Sequence, residues 1–307
     1  MSHQRKNMLH NLSHIQHLTI TRDYMSNTLY LLKCTFIVFT IFFAFYARAT
    51  VLEAKDAGII KDEIAKLENG DMVLLDVKNV IFYSSDQVMF HEHKSFFKQK
   101  FAQIEKSRGV EEATRLKSIV LSSYKPVIVD QEISGIINRA QKSGIIVFAL
   151  TSGNTSNYGT IPNRAALRIR TLKDIGIDFS KSTELDYIDL SKEMVLSKEK
   201  DRSKPIFQDG VIFAAKRPKG EILGKFLRLS KLKPGKIIFV DNQLENVLSV
   251  EATCKELGID YTGIHFTKMY NKPSKPLDKK IAEKKFEILL AENRWIDDNE
   301  ASLMVKK

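Results

Sequence analysis

The chain has 307 residues and a formal net charge of +11, with 48 Lys and Arg against 37 Asp and Glu. Hydrophobic residues make up 43% of it, too many for a disordered chain, and 14 Gly and 7 Pro are too few for a fibrous one. Two cysteines exclude a small fold held together by disulfides. The length allows one large domain or two modest ones, and the basic balance suggests nucleic acid or anionic lipid as partners.

The first feature along the chain is an apolar run near the N-terminus. Residues 34–46 carry no charge, Lys33 precedes them, and the small-x-small triplet 47–49 follows. These are the three parts of a secretory signal, and the run is shorter than the ~20 residues that cross a bilayer comfortably. We therefore predict a signal peptide over residues 1–49 and a mature chain that starts at Thr50 and has no membrane span.

The same segment has a second interpretation. An uncleaved anchor over residues 29–46 could span the membrane if Lys33 extended toward its surface. The cleaved signal predicts an exported protein, periplasmic or secreted, whereas the anchor predicts a protein held to the membrane by its N-terminus.

Residues 1–24 precede this signal and contain four of the seven histidines. His10, His14 and His17 have helical spacing that a metal site could use. Translation that starts at Met25 would give a signal peptide of ordinary length, so we assign these histidines no role. Cys254 is then the single cysteine of the mature chain, and we expect it to pack as a small apolar residue within a helix.

The first half of the mature chain is predicted to be mainly helical around one strand. A charged helix is predicted over residues 52–67, and the apolar run 72–75, bounded by turn formers, predicts a buried parallel strand. Residues 86–143 then show three helical patterns, over 96–106, 111–124 and 130–143, the last of which closes on Gly144.

The second half alternates strands with helices, which predicts an α/β fold with a largely parallel sheet. Asp209-Gly210 suits the two-residue turn of a hairpin. The predicted elements are a strand ending in Thr-Ser-Gly at 151–153, a helix from 164 running onto 176, the hairpin 205–215, a helix over 219–232, a strand over 236–242, a helix over 244–258, a strand over 261–266 and a charged helix over 275–295.

Polar side chains stand where these strands end. Asp76, Thr151 and Asp241 each follow a predicted strand, and Lys219 begins a helix. Ligands of parallel sheets bind beyond the carboxyl ends of the strands. An aspartate there can attack phosphorus, provided that a cation offsets the phosphoryl charge, donors bind its oxygens and, usually, Mg²⁺ bridges nucleophile and phosphate.

These four residues, in this order, resemble the motifs of the haloacid dehalogenase (HAD) superfamily. The match extends over roughly residues 71–268 and is most similar to an uncharacterised exported branch, judged by LLDVKNVIF, ALTSG and IIFVDNQLENVLSVE. The resemblance implies a Rossmann-like parallel sheet flanked by helices. Its core would comprise residues 50–85 and 144–307, and residues 86–143 would form a mainly helical cap over the site.

The resemblance also implies a role for each residue of the site. Asp76 would be the nucleophile, Thr151 and the neighbouring Ser152 would bind phosphate, and Lys219 would stabilise the charge. Lys216 lies close by in sequence and is an alternative for that lysine. Mg²⁺ would be the cofactor, and its ligands would be Asp76, Asp241 and Asn242.

One position departs from the family pattern. Phosphatases of the family carry a second aspartate two residues after the nucleophile, as acid and base, and here that residue is Lys78. We expect the Asp76 carboxylate to hold Lys78 in its charged form. Lys78 would then be a poor base, would compete with Mg²⁺ and would make Asp76 less nucleophilic. Loss of acid–base catalysis costs about 10²–10⁴-fold in rate.

Weaker signals receive no functional role. His91 and His93 do not share a helix face, so we expect ordinary surface or packing residues. Asp86 and Tyr83 lie near the first strand without a specific signal. The basic residues of the C-terminal helix alternate with acidic ones, as on a solvated face, and no nucleic-acid module accompanies them.

The sequence thus predicts an exported HAD-like hydrolase, a Mg²⁺-dependent phosphomonoesterase acting on a small phosphorylated molecule and weakened by Lys78. Two alternatives remain open at this stage. One is a catalytically inactive binding protein with the same fold. The other is a membrane-anchored binder of nucleic acid or lipid, for which binding would fall steeply with salt.

Overall fold

The computed structural model describes residues 48–192, 203–270 and 276–306. The apolar run 34–46, the three spaced histidines and Met25 lie outside these residues. Within the described ranges, no helix is long and apolar enough to cross a membrane.

The centre of the fold is an eight-stranded sheet. Its order is β1-β10-β9-β2-β5-β8-β7-β6, and every pair from β1 to β8 is parallel, whereas β8, β7 and β6 pair antiparallel. A separate antiparallel pair joins β3 to β4. The strands are β1 Ala49–Ala54, β2 Met72–Leu75, β3 Phe82–Ser84, β4 Pro126–Ile128, β5 Ile146–Thr151, β6 Tyr187–Asp189, β7 Ile206–Gln208, β8 Val211–Phe213, β9 Lys236–Asp241 and β10 Asp260–Phe266.

Helices cover both faces of this sheet. Helices α1, α4 and α5 pack on one face and α6 and α7 on the other, as in an α/β protein. The helices are α1 Ala57–Ile64, α2 Lys94–Arg108, α3 Val110–Ser123, α4 Glu132–Lys142, α5 Arg164–Asp174, α6 Lys219–Ser230, α7 Leu244–Leu257, α8 Lys279–Glu292 and α9 Asp298–Val305.

Burial on both faces explains why the central strands are continuous apolar runs. In β2, Val73 and Leu75 face the first layer of helices while Met72 and Leu74 face the second, and all four are at most 1% exposed. Successive residues of a strand point to opposite faces, so a strand between two layers needs apolar residues at every position. The α/β class and the mostly parallel sheet predicted from the sequence are confirmed.

The predicted charged helix over residues 52–67 is wrong in its first part. Residues 49–54 form β1, which pairs in parallel with β10 at the edge of the sheet, and the helix begins only at Ala57. Asp56 fixes this start, because its side chain accepts a hydrogen bond from the backbone N–H of Gly58. The sequence ATVLEA has only one fully buried residue, Ala54, so it lacks the apolar run of the central strands.

The predicted hairpin is present. Asp209 and Gly210 both have positive φ, 48° and 77°, between β7 and β8. Positive φ at both central residues is the geometry of a type I′ turn, which matches the twist of the two strands. Cys254 is buried and free within α7, as expected, and burial raises the pKa of its thiol to about 12.

The helical insertion predicted over residues 86–143 divides between two layers. Helix α4 belongs to the sheet, because Ile133 and Ile137 pack in the same apolar cluster as Val73. Helices α2 and α3 instead pack with the C-terminal helix α8 in a separate cluster that includes Phe101 and Phe286. Of the predicted insertion, α4 thus packs on the sheet, whereas α2 and α3 pack with α8 in a cluster of their own.

A buried charge network ties the beginning of this layer to its end. Lys285, on α8, is fully buried, and its Nζ lies 2.7 Å from Asp86 Oδ2 and 2.6 Å from Asp298 Oδ1. Trp295 Nε1 donates to Asp86 at 2.6 Å. The solvated face expected for the basic residues of this helix is wrong at Lys285, because α9, absent from the sequence prediction, covers it. Asp86 is part of this network.

Candidate functional site

The register of three neighbouring strands brings the predicted site residues to one edge of the sheet. Leu75 on β2 pairs with Ala149 on β5 and with Val240 on β9. Asp76 follows β2 directly, and its backbone N–H donates to Val240 O at 2.8 Å. Thr151 and Asp241 are the last residues of β5 and β9. The carboxyl ends of the strands therefore converge as the sequence predicted.

Lys219 bridges the two aspartates. Its Nζ lies 2.5 Å from Asp76 Oδ1 and 2.6 Å from Asp241 Oδ2, and its side chain is 1% exposed. Lys216, the alternative from the sequence, is exposed. A buried lysine between two carboxylates leaves this part of the site with one net negative charge when all three groups are ionised.

Close helix packing places Lys219. Gly220, the next residue, donates its backbone N–H to Ser249 Oγ on α7 at 3.1 Å. A Cβ at position 220 would stand 2.0 Å from the backbone oxygen of Ser249, so only glycine allows the two helices this approach. The start of α6, and with it the lysine, is thereby held against the ends of β2 and β9.

Asp241 is completely buried and saturated with hydrogen bonds. Besides Lys219, Asn246 Nδ2 donates to its Oδ2 at 3.0 Å, and the backbone N–H of Gln243 donates to its Oδ1 at 2.8 Å. Burial, followed by the charge of Asp76, raises the pKa of Asp241 to about 6. Sequence reasoning missed Asn246, which lies one helical turn beyond the strand; the helix that follows the aspartate was the signal that could have found it.

Asp76 is the open carboxylate of the pair. Its Oδ1 accepts from Lys219, and among the described residues its Oδ2 has no hydrogen-bond partner. The Asp76 side chain keeps 11% exposure, against 0% for Asp241. Of the two carboxylates, Asp76 is therefore the one that can reach a ligand.

Thr151 lies beside this carboxylate at the end of β5. It is buried, and its Oγ1 accepts from the backbone N–H of Gly153 at 3.3 Å. Ser152 is exposed, and its carbonyl accepts from the backbone N–H of Lys216 at 3.1 Å. The hydroxyl hydrogen of Thr151 is thus left for a ligand, as expected for a donor to an anion.

Lys78 behaves differently from the expectation. It makes no hydrogen bond or ion pair within the described part of the chain, and Asp76 is paired with Lys219 instead. Although solvent reaches the side chain, desolvation by the surrounding protein, followed by the like charges of Arg168 and Lys94, lowers the pKa of Lys78. The charge of Asp76 raises that pKa, but it is the weakest of these influences, so the expected stabilisation of the charged form is outweighed.

Lys219 lies between the two carboxylates that the sequence predicts as Mg²⁺ ligands, Asp76 and Asp241. Of the expected ligands, both oxygens of Asp241 are engaged, and Asn242 donates its side-chain amide to the hydroxyl of Tyr270 at 3.3 Å. Among the described residues of this set, Asp76 Oδ2 is the open carboxylate oxygen, and Mg²⁺ is usually held by one or two carboxylates together with waters and the phosphate of a substrate. The described residues contain no group of three or more His, Cys, Asp or Glu that could hold a metal ion.

The other residues considered in the sequence analysis lie away from this site. His93 is buried and its Nδ1 lies 2.7 Å from the carbonyl oxygen of Gln87, while His91 is exposed. Asp86 belongs to the Lys285 network described above. None of these side chains is in contact with the Asp76–Lys219–Asp241 site.

The chain belongs to a family described as "Protein of unknown function (DUF2608)", whose model matches residues 54–302. It is 22% identical over 267 residues to an uncharacterized protein of Rickettsia prowazekii (strain Madrid E), covering 86% of this chain and 94% of the relative. It is 24% identical over 243 residues to a Chlamydia pneumoniae protein named "Putative outer membrane protein", covering 76% and 84%. No solved structure matches the chain.

Proposed function

We propose that this chain is an exported HAD-like protein whose site binds a phosphomonoester and accepts its phosphoryl group on Asp76. The observation that carries the proposal is the buried Lys219, which joins Asp76 and Asp241 at the carboxyl edge of the sheet. Thr151 adds a hydroxyl donor at the same edge. The order of these residues matches the superfamily motifs, and the parallel sheet is the architecture that the resemblance implies.

The chemistry follows from the open oxygen of Asp76. Asp76 Oδ2 attacks phosphorus, the bond from phosphorus to the ester oxygen breaks, and the alcohol leaves with the electron pair and takes up one proton. Lys219 offsets the negative charge of the phosphoryl oxygens, and the hydroxyl of Thr151 donates a hydrogen bond to one of them. Water then attacks the phosphorus, returns Asp76 and releases phosphate. No step in this sequence uses a metal ion.

Lys78 makes the second half of this cycle slow. It occupies the position where the superfamily has its acid and base. An ammonium group can donate a proton to the leaving alcohol, and a lowered pKa makes that donation easier. Lys78 supplies no carboxylate to take a proton from the attacking water, so release of phosphate from Asp76 is the step that we expect to lose most.

The test is hydrolysis of p-nitrophenyl phosphate by the full chain, with and without Mg²⁺. This substrate leaves as a stable phenolate, so the measurement does not depend on a general acid. We expect slow turnover that disappears in Asp76→Asn, with Asp71→Asn as a control, since Asp71 lies at the opposite end of β2. Turnover that survives in Asp76→Asn would contradict the assigned nucleophile.

The second candidate function is ligand binding without turnover. Lys78 favours it, because an unpaired cation beside the nucleophile can hold an anion in place of reacting with it. In that case the wild-type chain binds inorganic phosphate but releases no p-nitrophenol with or without Mg²⁺. Binding without product supports this candidate over the first.

Export is proposed on two grounds. The sequence predicts a signal peptide over residues 1–49, and relatives from Chlamydia pneumoniae and Chlamydia trachomatis carry the name of an outer membrane protein. N-terminal sequencing of the chain recovered from outside the cytoplasm tests the proposal, and a mature start at Thr50 is the expected result. Recovery of the whole chain with Met25 or an earlier residue at its end would favour the anchor.

A further inference from the structure

A cavity lies beside the candidate site at the same edge of the sheet. Its volume is about 190 Å³, enough for about six water molecules or a molecule of three to four carbons with its polar groups. Gly153 lines it two residues after Thr151, and Phe213 lines it from β8, where it pairs with Thr151. The cavity therefore continues from the place where a phosphoryl group would lie.

Arg168 gives this cavity a positive charge that nothing in the described protein neutralises. The guanidinium donates to the hydroxyl of Tyr124 at 3.0 Å and lies 5.2 Å above the ring of Phe82. It contacts no carboxylate among the described residues. The hydroxyl and the ring hold the guanidinium in a fixed orientation without neutralising its charge, as in a preorganised anion site.

Two other groups, one in the cavity and one near it, have no hydrogen-bond or ion-pair partner among the described residues. Asn154 Oδ1 is buried and accepts no hydrogen bond from the described residues, which is costly for a polar atom unless another group supplies the donor. Lys78, outside the lining of the cavity, is a second cation without an ion-pair partner among the described residues, and the charges of Arg168 and Asp76 act on it. The cavity thus presents a cation for an anionic group, and Asn154, one of its lining residues, has a side-chain oxygen that no described residue satisfies.

We infer that this cavity binds the organic part of the ligand and that this part carries its own anionic group, held by Arg168, with a hydroxyl or amino group donating to Asn154. The ligand is then a small phosphomonoester with a second anion, either a carboxylate or another phosphate. Arg is suited to either, because its fork binds two oxygens of such a group at once. This inference rests on the proposed function, since it places the first phosphate beside Asp76.

The test is isothermal titration calorimetry on the full chain in EDTA-containing buffer, with inorganic phosphate, glycerol 3-phosphate and 3-phosphoglycerate. Glycerol 3-phosphate has a hydroxymethyl group where 3-phosphoglycerate has a carboxylate. We expect 3-phosphoglycerate to bind about tenfold or more tightly than glycerol 3-phosphate, as one charge-assisted pair would give. Glycerol 1,3-bisphosphate tests a phosphate as the second anionic group. Of the two ligands that carry two anionic groups, the one with the higher affinity identifies the second anion.

Matched variants locate the effect. Arg168→Gln should remove the preference and leave the affinity for inorganic phosphate unchanged, which also shows that the variant is folded. Arg170→Gln, on the exposed side of the same helix, should change none of the affinities. Asn154→Ala should lower the affinity for 3-phosphoglycerate more than the affinity for inorganic phosphate. If Arg168→Gln does not fold, this variant tests whether the cavity binds the organic part of the ligand.

The binding data separate failure of the inference about the cavity from failure of the proposed function. Equal affinities for the ligands with one and two anionic groups, or a preference that survives in Arg168→Gln, overturns the inference while phosphate binding leaves the proposed function standing. No binding of phosphate or of any phosphate ester contradicts the proposed function, and the inference falls with it.

Discussion

At the scale of single residues, the strand ends were predictable and the side chains that reach them from helices were not. Asp76, Thr151 and Asp241 follow apolar runs, and parallel strands end at one edge, so their proximity could be inferred from order alone. Arg168 and Asn246 project from helices, where periodicity predicts a face but not what it meets. The lowered pKa of Lys78 was not predictable either, because it comes from desolvation and then from the charges of Arg168 and Lys94, all of which depend on the tertiary fold.

Lys78→Asp tests the importance of the departure from the family pattern. The substitution restores a carboxylate two residues after Asp76, where it can act as acid and base. We expect the rate of p-nitrophenyl phosphate hydrolysis to rise by about 10²-fold, the lower end of what general acid–base catalysis contributes. The measurement is steady-state turnover with and without Mg²⁺, since the added carboxylate also provides a metal ligand.

Lys78→Met is the matched control, because it removes the charge without adding an acid or a base. It should leave the rate near that of the wild type. A lower rate in Lys78→Asp than in the wild type would mean that the ammonium contributes more to the reaction than a carboxylate at the same position, and would contradict the expected rise.

At the scale of elements, short apolar runs bounded by turn formers predicted the central strands well. They failed for β1 and α9, both of which lie at the edge of a layer and bury few residues. Ala54 is the one fully buried residue of β1, and Ala301 is the one buried residue of α9. Where burial does not impose a period on the sequence, local propensity misleads, as it did in assigning residues 52–54 to a helix.

Gly220→Ala tests how the packing of α6 on α7 positions the site. The new Cβ would meet the backbone oxygen of Ser249 at 2.0 Å, and backbone cannot move aside cheaply. We expect a loss of about 3 kcal/mol in the free energy of unfolding, measured by urea denaturation, together with weaker phosphate binding because Lys219 is displaced.

Gly224→Ala is the control one turn further along the same helix. Its nearest neighbour would be a methyl group of Thr253 at 3.2 Å, which can shift by a few tenths of an ångström. The helix gains about 0.5–1 kcal/mol from alanine, so the stability should stay close to that of the wild type. Equal losses in both variants would show that the close approach at Gly220 is not what places α6.

At the scale of the whole molecule, a buried charge network joins segments far apart in sequence. Lys285→Met would leave the carboxylates of Asp86 and Asp298 without their common cation. We expect a loss of about 3–5 kcal/mol in the free energy of unfolding at neutral pH. In Lys284→Met, the partly exposed neighbour loses its pairing with the exposed Glu287, which should cost about 1 kcal/mol or less.

The loss in Lys285→Met should shrink as the pH falls. Burial raises the pKa of Asp86 in the folded state above its ordinary value, so the folded protein takes up this proton more readily than the unfolded chain. Stability from this group therefore increases as the pH falls through the raised pKa and is lost as the pH rises through it. Urea denaturation of the variant at pH 7 and pH 5 checks the direction, and an unchanged or larger loss at pH 5 would contradict it.

The central claim is that Asp76 accepts a phosphoryl group. The most direct measurement is the intact mass of the chain after incubation with acetyl phosphate, followed by borohydride reduction and peptide mapping to locate the adduct. We expect one phosphoryl group per chain, located on Asp76 and absent from Asp76→Asn, and longer-lived in the wild type than in Lys78→Asp. An adduct on another residue, or none at all in wild type that hydrolyses p-nitrophenyl phosphate, would contradict it.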